Sequence, residues 1–484
     1  MDYKKLGLKC GLEIHKQLET NEKLFCSCKS QLSDRNVMKF TRKLRPVAGE
    51  LGDIDVATLH EVMKNKTYVY SVYPDETCLV ETDSEPPHDI NREALETVLK
   101  VAVMLNCDIP DEIHVMRKTV IDGSNTSGFQ RTAIIGINGH IKTSFGNVGI
   151  DNISIEEESS QILGKENTTA NYGLDRLGIP LIEIGTAPDI HTPEQAKEVA
   201  VKLGSILKST GKVKRGLGTI RQDLNVSIKT GNRVEIKGVQ ELDMIPEIVD
   251  KEVERQNKSK HVTKDVRRLL PDGSTEFMRP LPGAARLYPE TDIPPIRITH
   301  EYLRQIGSEL PEDIDKRIKR FERKYRINKE IADQLIDIGN DGIFETIVSL
   351  GFDSATVSRA LTSTFKDLRR QGIKVDDIPG FVLIEFFRTL GKKTKDIPKE
   401  AIENALTQLA SNSSQDLVDL VEKLGVKHIS DTDVRKIVRS VIEKNKGVLT
   451  KNRPENILMG LIMKEARGKI PGAVIMKILK EELK

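Results

Sequence analysis

The sequence predicts an α+β protein with a largely antiparallel sheet in its first part and helices in its second. Up to about residue 297, short segments alternate apolar and polar residues and are separated by turn residues, as strands require. Asn138-Gly139 and Gly231-Asn232 are dipeptides typical of hairpin turns. Beyond residue 297, this alternation gives way to the wider spacing of amphipathic helices. We therefore expect a β-rich first half and an all-helical second half.

Two helices are predicted within the β-rich half. The segment NREALETVLKVAVMLN begins with Asn91, which is a favoured N-cap residue. In HTPEQAKEVAVKLGSILKSTG, Thr192 is the expected N-cap, Pro193 stands in the first turn and Gln195 completes a capping box. Gly211 is the expected end of this helix.

Residues 278–295, MRPLPGAARLYPETDIPP, are rich in proline and carry four charged side chains: Arg279, Arg286, Glu290 and Asp292. The prolines predict an extended loop without regular structure. Such a loop either lines a functional pocket or links the two halves of the chain.

The helical half divides at breaks near Gly391 and Pro398. We expect three domains, with a catalytic or binding domain in 1–297, a helical domain in 298–400 and a smaller helical domain in 401–484.

The basic residues are unevenly distributed, although the net charge is only +2. Residues 427–484 carry 14 Lys and Arg against 7 Asp and Glu, and residues 208–237 carry eight against two. Two basic patches predict a polyanionic partner, with solvated helix faces as the alternative. Because there is no Trp and few aromatic residues, we expect contact with the backbone of folded RNA rather than base stacking.

The composition also excludes some classes of protein. Five scattered cysteines argue against a secreted disulfide framework, and no apolar run is long enough to span a membrane. We expect a cytoplasmic protein without a membrane partner.

Acidic and imidazole side chains occupy one face of several predicted strands. The pattern comprises Glu13 and His15, then Glu156, Glu183, Arg221 with Asp223 and Asn225, and Glu235 with Lys237. A sheet solvated on one side would produce some of this pattern. The concentration of carboxylates favours a hard cation such as Mg²⁺, with the cations holding phosphate. Neither a P-loop nor a dinucleotide-binding glycine motif is present.

The cysteines make a weak case for zinc. Cys26 and Cys28 form a C-x-C pair, and Cys78 follows fifty residues on. A structural zinc site needs four ligands, so His88 would have to join. We therefore expect free thiols and no zinc.

Several long motifs together resemble the GatB/GatE family, the tRNA-binding catalytic subunits of tRNA-dependent amidotransferases. They are GLEIHKQLET, SIEEES, GIPLIEIGTAPDIHTPEQA, GTIRQDLNVSI, VEIKGVQEL, RPLPGAARLYPETDIPP and NILMGLIMKEARGKI. The resemblance covers essentially the whole chain and is greater to the archaeal GatE branch than to the bacterial-type GatB branch. It implies a cradle-shaped catalytic domain, a helical domain and a YqeY-like tail that binds tRNA.

The resemblance also implies an activity. Glu mischarged on tRNA(Gln) is phosphorylated by ATP on its side-chain carboxylate, and ammonia then displaces the phosphate. The ammonia comes from an asparaginase-like glutaminase, GatD, in a heterodimer or a dimer of heterodimers. The alternatives are the GatB component of a three-subunit enzyme that also acts on Asp-tRNA(Asn), and a tRNA-binding scaffold without catalysis.

By the same resemblance, His15, Glu156 and Glu183 are the Mg²⁺ ligands, and Glu13 joins them as a catalytic residue. Arg221, Asp223, Asn225 and Lys237 are implied to bind ATP or substrate. Two features depart from the family. The insertion domain usual in GatE, before the RPLPGAAR motif, is missing, and only one of the two cysteine pairs that bind zinc in some GatB proteins is present.

Overall fold

The structure is a computed structural model of the 484-residue chain. It describes residues 1–45, 54, 56–166, 168–216, 218–259, 261–281, 287–392, 399–424, 431–448, 454–466 and 472–483. The chain forms two compact units, Met1–Glu312 and Asp313–Lys484. The division of the sequence into three domains remains a prediction.

The strands lie in the first unit, as the alternating pattern predicts. They are β1 (Lys9–Gln17), β2 (Met38–Arg42), β3 (Thr67–Val72), β4 (Glu112–Ile113), β5 (Val115–Thr119), β6 (Phe129–Thr143), β7 (Gly146–Glu157), β8 (Gln161–Lys165), β9 (Thr169–Gly173), β10 (Pro180–Thr186), β11 (Ile220–Ser227), β12 (Val234–Val239), β13 (Asp265–Leu269), β14 (Thr275–Pro280), β15 (Leu287–Pro289) and β16 (Ile296–Arg297).

Helices of the first unit are α1 (Tyr3–Leu6), α2 (Val56–Val62), α3 (Arg92–Met104), α4 (Pro193–Ser209), α5 (Ile245–Lys258) and α6 (His300–Ser308). Those of the second unit are α7 (Ile314–Tyr325), α8 (Lys329–Asp337), α9 (Asp341–Ser349), α10 (Ser354–Arg359), α11 (Phe365–Arg370), α12 (Gly380–Gly391), α13 (Lys399–Ser411), α14 (Leu417–Lys423), α15 (Asp431–Lys444), α16 (Pro454–Ala466) and α17 (Gly472–Glu482). A π-helical segment, Ala360–Thr364, joins α10 to α11.

The central sheet has ten strands in the order β14-β13-β12-β11-β1-β10-β7-β6-β5-β15. Every neighbouring pair runs antiparallel except β12 and β13, so the prediction of a largely antiparallel sheet is confirmed. A separate sheet, β2-β3-β9-β8, and the short pair β16-β4 accompany it.

One face of the central sheet packs against helices α3, α4 and α5. Leu12, Ile14, Leu224 and Ile184 point to this face and are buried in one hydrophobic core with residues of those helices. The alternation of side chains along each strand sends the intervening residues to the other face. The polar residues of β1, β10 and β11 are therefore gathered on the face that the three helices leave uncovered.

The predicted caps of the two helices are confirmed. The Asn91 side chain accepts a hydrogen bond from the Ala94 N–H at the start of α3. Thr192 and Gln195 form the capping box of α4, with Pro193 as its first residue. These bonds satisfy N–H groups that the helices themselves leave unpaired.

One hairpin prediction is wrong and the other is confirmed. Gly231 and Asn232 lie in the connection between the paired strands β11 and β12. Asn138 and Gly139 lie inside the long strand β6 instead. A Cβ atom at Gly139 would lie 2.7 Å from the Leu105 carbonyl oxygen, so glycine is needed there for close packing against the end of α3.

The segment 278–295 contains more regular structure than its prolines predict. Its first residues complete β14, and Leu287–Pro289 form β15 at the edge of the central sheet. An edge strand tolerates proline because its outward side needs no N–H donor. Arg286, which the sequence analysis singled out, lies outside the described residues.

The second unit is helical, as predicted. Helices α7 to α14 enclose a core that includes Phe321, Phe344 and Phe386. A further core, with Val438 and Leu458 among its members, lies between α15, α16 and α17. None of the helices in the described part of the chain is long and apolar enough to cross a bilayer.

Candidate active site

The predicted site residues lie side by side across neighbouring strands of the central sheet. His15 on β1 is opposite Glu183 on β10, and Glu13 is opposite Asp223 on β11. One strand further on each side, Glu156 of β7 is opposite Leu181 and Asn225 is opposite Glu235 of β12. Directly opposed residues point to the same face, so one polar surface crosses five strands.

An open pocket of about 390 Å³ lies over this surface. Six of the eight predicted residues line it: Glu13, His15, Glu156, Arg221, Asp223 and Lys237. Glu183 and Asn225 line an adjoining pocket of about 400 Å³, which also contacts Glu13 and Glu235. The structure therefore brings all eight residues together at two pockets that share a wall.

Glu13, His15 and Glu183 form the closest acidic cluster, with one possible ligand atom from each lying within 4.8 Å of the others. His15 Nε2 is 3.3 Å from the Glu183 carboxylate. Burial and the Glu183 charge raise the pKa of Glu13 to about 8. Burial disfavours the His15 imidazolium, but the hydrogen bond and charge of Glu183 outweigh it and raise the pKa of His15.

Glu156 is buried and paired with a lysine that the sequence analysis did not select. Lys118 Nζ of β5 lies 2.6 Å from Glu156 and 3.4 Å from Glu183. The Thr132 hydroxyl also donates to Glu156, at 2.9 Å. Burial would raise the pKa of Glu183, but Lys118 and His15 hold it well below its usual range. No local pattern in the sequence singles out Lys118, which belongs to the strand-like segment IHVMRKTVI.

The two predicted cations of the pocket are already engaged by carboxylates. Lys237 Nζ lies 2.6 Å from Asp223 and 2.5 Å from Glu235. Burial disfavours the Lys237 ammonium, but these two carboxylates outweigh it and raise the pKa of Lys237. Arg221 donates to Glu158 at 2.8 Å. These pairs hold both cations at the wall of the pocket.

Arg279 is a third basic residue at the pocket, and its hydrogen bonding differs from that of Lys237 and Arg221. It lies at the end of β14 and lines the 390 Å³ pocket. Its Nε atom is buried and has no hydrogen-bond partner among the described residues. From the sequence, Arg279 is only one of the charged residues of the proline-rich segment, and no pattern assigns it to the site. The turn Gly216-Leu217-Gly218 is predicted from the sequence to supply backbone donors for phosphates, and Leu217 of this turn lies outside the described residues.

The donors at the acidic cluster fit a divalent cation. Two carboxylates and an imidazole line the two adjoining pockets, and a positive charge among them would relieve the mutual repulsion of Glu13 and Glu183. Of the predicted ligand set, His15 and Glu183 belong to this cluster. Glu156 is paired with Lys118 instead, so Glu13 and not Glu156 completes the cluster with His15 and Glu183.

A second group of possible ligands lies elsewhere in the first unit. Cys26, Cys28, Cys78 and Glu81 each offer an atom within 4.8 Å of the others. His88, the fourth ligand considered from the sequence, instead lies 3.6 Å from Glu85. The spacing of cysteines and histidines in the sequence does not indicate Glu81 as a possible ligand.

Comparison with known proteins identifies a family whose catalytic domain includes the residues of the pocket. The model of the GatB/GatE catalytic domain matches residues 8–304, which is more than half of the chain and contains every residue of the pocket. The chain belongs to the GatB/GatE family. A second family model, described as the GatB domain, matches residues 342–483.

Members of the GatB/GatE family that are named as the GatE component of glutamyl-tRNA(Gln) amidotransferase are similar along the whole chain. The protein of Thermococcus sibiricus is 35% identical over 100% of this chain and 98% of its own length. That of Pyrococcus abyssi is 37% identical over 92% of each chain, and that of Methanocaldococcus jannaschii is 34% identical over 100% and 99%.

These alignments also show a difference in length. The alignment with the Thermococcus sibiricus protein runs over 623 positions, 139 more than the 484 residues of this chain. The GatB/GatE relatives therefore carry residues with no counterpart here, which agrees with the insertion domain that the sequence lacks.

Proposed function

We propose that this chain is the tRNA-binding, catalytic GatE component of a glutamyl-tRNA(Gln) amidotransferase. It uses ATP to phosphorylate the side-chain carboxylate of Glu on mischarged tRNA(Gln). Ammonia then attacks the acyl carbon, phosphate leaves, and Gln-tRNA(Gln) results. The observation that carries the proposal is the pocket over β1, β10 and β11, where carboxylates, an imidazole, lysines and arginines lie together within the part of the chain that matches the catalytic domain.

In this proposal, His15, Glu183 and Glu13 would hold Mg²⁺, with Glu156 as the further ligand that the family resemblance implies. The bound ion would neutralise charge on the phosphates of ATP and on the carboxylate that attacks them. The remaining work belongs to the residues of the chain. Phosphoryl transfer depends mainly on alignment of the reactants and on positive charge around the moving phosphoryl group.

Arg279, Arg221 and Lys237 supply positive charge at the same pocket. We assign Arg279 to the ATP phosphates because its Nε–H is not used by another described residue. Lys237 and Arg221 stay fixed by Asp223, Glu235 and Glu158, so they present charge without moving. Asn225 lies in the adjoining pocket, where we place the end of the aminoacylated tRNA.

The partner is proposed to be GatD, a glutaminase of the asparaginase-like class, in a heterodimer or a dimer of heterodimers. The basic residues of the tail, 427–484, are proposed to contact the tRNA backbone. Since its substrate is a tRNA used in translation, we place the protein in the cytoplasm.

The test is to incubate the purified chain and a GatD partner with Glu-tRNA(Gln), ATP, Mg²⁺ and glutamine. ADP and Gln-tRNA(Gln) are the expected products. Glu183→Gln keeps the size of the side chain but removes the charge, and we expect at least a 100-fold loss of both products. Glu254→Gln, at an exposed carboxylate of α5, is the matched control and should retain full activity.

Three results would contradict the proposal. Equal activity of Glu183→Gln and wild type would remove Glu183 from the metal site. Binding of tRNA without any ATP turnover would favour the alternative of a tRNA-binding scaffold without catalysis. Amidation of Asp-tRNA(Asn) in a complex with three different subunits would favour GatB.

A further inference from the structure

The pocket of about 400 Å³ beside the proposed metal site extends along β1 and β10. Glu13 and Glu183 line its end at the metal site, and Gly11 and Gly185 line it two residues further along each strand. These two glycines add no side chain to the face on which Glu13 lies, because strand residues two apart share a face. The pocket therefore has room for a ligand directly beside the metal site.

A β-bulge turns two polar residues of β7 toward this pocket. Gly185 of β10 is opposite Asn152, but the next residue of β10 is opposite Ile150, so Asp151 is an extra residue of β7. Ile150 and Ile153 are both buried in the core behind the sheet, although they are three positions apart. The two residues between them, Asp151 and Asn152, both line the pocket. Bulges redirect side chains in this way beside active sites.

Asp151 is a carboxylate of the pocket that no cation among the described residues neutralises. Its side chain forms no ion pair or hydrogen bond within the described part of the chain. Partial burial and the charge of Asp189 raise the pKa of Asp151. By contrast, Glu235 of the same pocket lies 2.5 Å from Lys237. A cationic group of a ligand would supply the charge that Asp151 lacks.

The two cations that line this pocket belong to other strands. Lys9 is the first residue of β1, which β10 separates from β7 in the sheet. Arg233 directly precedes β12, which lies beyond β11. Neither forms an ion pair with Asp151 within the described ranges. The part of the pocket at β7 is therefore left with negative charge.

We infer that Asp151 binds the α-ammonium group of the glutamate esterified to tRNA and selects for an aminoacyl ester. The inference rests on the proposed function. In Glu-tRNA, the α-carboxyl group is used in the ester, so the amino acid keeps two charged groups, the α-ammonium group and the side-chain carboxylate. The carboxylate reacts at the metal site. The ammonium group, once it leaves water, needs a carboxylate of the protein.

The positions of the two groups fit the register of the strands. Glu183 of the metal site is opposite Ser154, three residues along β7 from Asp151. At the rise of a strand, this separation is at most about 10 Å. An extended glutamate together with the Asp151 side chain spans such a distance. Asn152 offers an amide oxygen to the same ammonium group.

The experiment compares two esters of tRNA(Gln) as substrates of the full-length chain with a GatD partner. One is Glu-tRNA(Gln). The other carries glutarate, which is glutamate without its α-amino group, and is loaded by an acylating ribozyme. Both esters keep the carboxylate that is phosphorylated and amidated. For wild type, we expect kcat/KM to be about 10-fold lower with the glutarate ester, because one charge-assisted hydrogen bond is lost.

Variants of Asp151 test whether this residue is the cause of the preference. Asp151→Asn should lower kcat/KM for Glu-tRNA(Gln) about 10-fold and change the value for the glutarate ester less than about twofold. The preference for the ammonium group should therefore disappear. Asp151→Glu keeps the charge and should retain part of the preference. Asp111→Asn, at an exposed aspartate before β4, is the matched control and should keep all of it.

The outcomes separate this inference from the proposed function. No amidation of Glu-tRNA(Gln) by wild type would overturn both. Equal kcat/KM of wild type for the two esters would overturn the inference alone, and this comparison needs no variant. A folded Asp151→Asn variant that keeps the full preference would also overturn it. A higher Mg²⁺ requirement as the only effect of Asp151→Asn would assign the carboxylate to a metal ion instead.

Discussion

The Glu13 carboxylate lies within 4.8 Å of the Glu183 carboxylate on one neighbouring strand and within 4.8 Å of the Asp223 carboxylate on the other. Burial and the Glu183 charge raise its pKa from 4.5 to about 8, although His15 and Lys237 act in the opposite direction. The charge of this one side chain therefore depends on pH in the neutral range and on whatever cation enters the pocket.

This raised pKa makes stability depend on pH in the metal-free protein. Folded Glu13 keeps its proton up to about pH 8, whereas the unfolded side chain loses it near pH 4.5. The free energy of unfolding should therefore fall as pH rises between these values. Glu13→Gln should reduce this fall and stabilise the protein at pH 8 by about 1–2 kcal/mol. Urea unfolding in EDTA at pH 5 and pH 8 measures the difference.

The control for this prediction is Glu19→Gln, at an exposed carboxylate just beyond β1. It should show the same pH dependence as wild type. If Glu13→Gln and Glu19→Gln had the same pH dependence of the free energy of unfolding, Glu13 would not be its cause.

A variant of Arg279 tests whether this residue binds the ATP phosphates. Arg279→Met keeps most of the apolar stem and removes the charged donors. We expect KM for ATP to rise about 10-fold, because roughly one charge-assisted hydrogen bond is lost. Steady-state kinetics at fixed Glu-tRNA(Gln) measures it. Arg268→Met, at an exposed arginine of β13 paired with Glu276, should leave KM unchanged, and an equal rise in both variants would remove Arg279 from the role.

At the scale of the elements, the central sheet decides which polar residues meet. Strands distant in sequence become neighbours, as β1 does with β10 and β11. The apolar residues of these strands fill one core with α3, α4 and α5, which fixes the register and therefore the positions of the opposite side chains. The geometry of the pocket thus rests on the packing behind the sheet.

Gly139 provides a test of that packing. A Cβ atom there would clash with the Leu105 carbonyl oxygen and the Cys107 sulfur at the end of α3. We expect Gly139→Ala to lower the free energy of unfolding by about 2 kcal/mol or more, because β6 and α3 must separate. Gly204→Ala, in α4 with open space around the position, should instead stabilise the protein by about 0.5–1 kcal/mol. Urea unfolding of both variants distinguishes a local clash from a general effect of alanine.

At the scale of the whole molecule, the two basic patches lie in different compact units. The tail has the larger total surplus of Lys and Arg, seven against six, but Arg435 and Arg439 form ion pairs with Glu482. Its exposed lysines are therefore the better candidates for contact with tRNA phosphates.

Replacement of four of these lysines by Gln should weaken tRNA binding at least 10-fold at moderate salt. The slope of log K against log salt should become shallower, because fewer counterions are released. Filter binding at several salt concentrations measures both. The residues are Lys444, Lys464, Lys477 and Lys480, and the control set on the first unit is Lys4, Lys5, Lys39 and Lys258. Equal affinity of the two variants would exclude the tail from tRNA binding.

The sequence by itself determined the α+β class, the caps of α3 and α4, and the common face of Glu13 and His15. Each of these depends on residues close in sequence, where periodicity and capping chemistry act directly. Its motifs also carried the family resemblance. The same local rules failed at Asn138-Gly139, where contact with α3 decides the backbone, and at Pro289, where an edge position permits a strand.

Only the tertiary structure decided which of these faces meet. Lys118 reaches Glu156 and Glu183 because β5, β6, β7 and β10 are consecutive in the sheet, an order that no local pattern specifies. Glu81 joins Cys26 and Cys28 for a similar reason, since two loops more than fifty residues apart pack together. Contacts of this kind depend on long-range packing. The alternation of apolar and polar residues along each strand is compatible with many strand orders and does not select one of them.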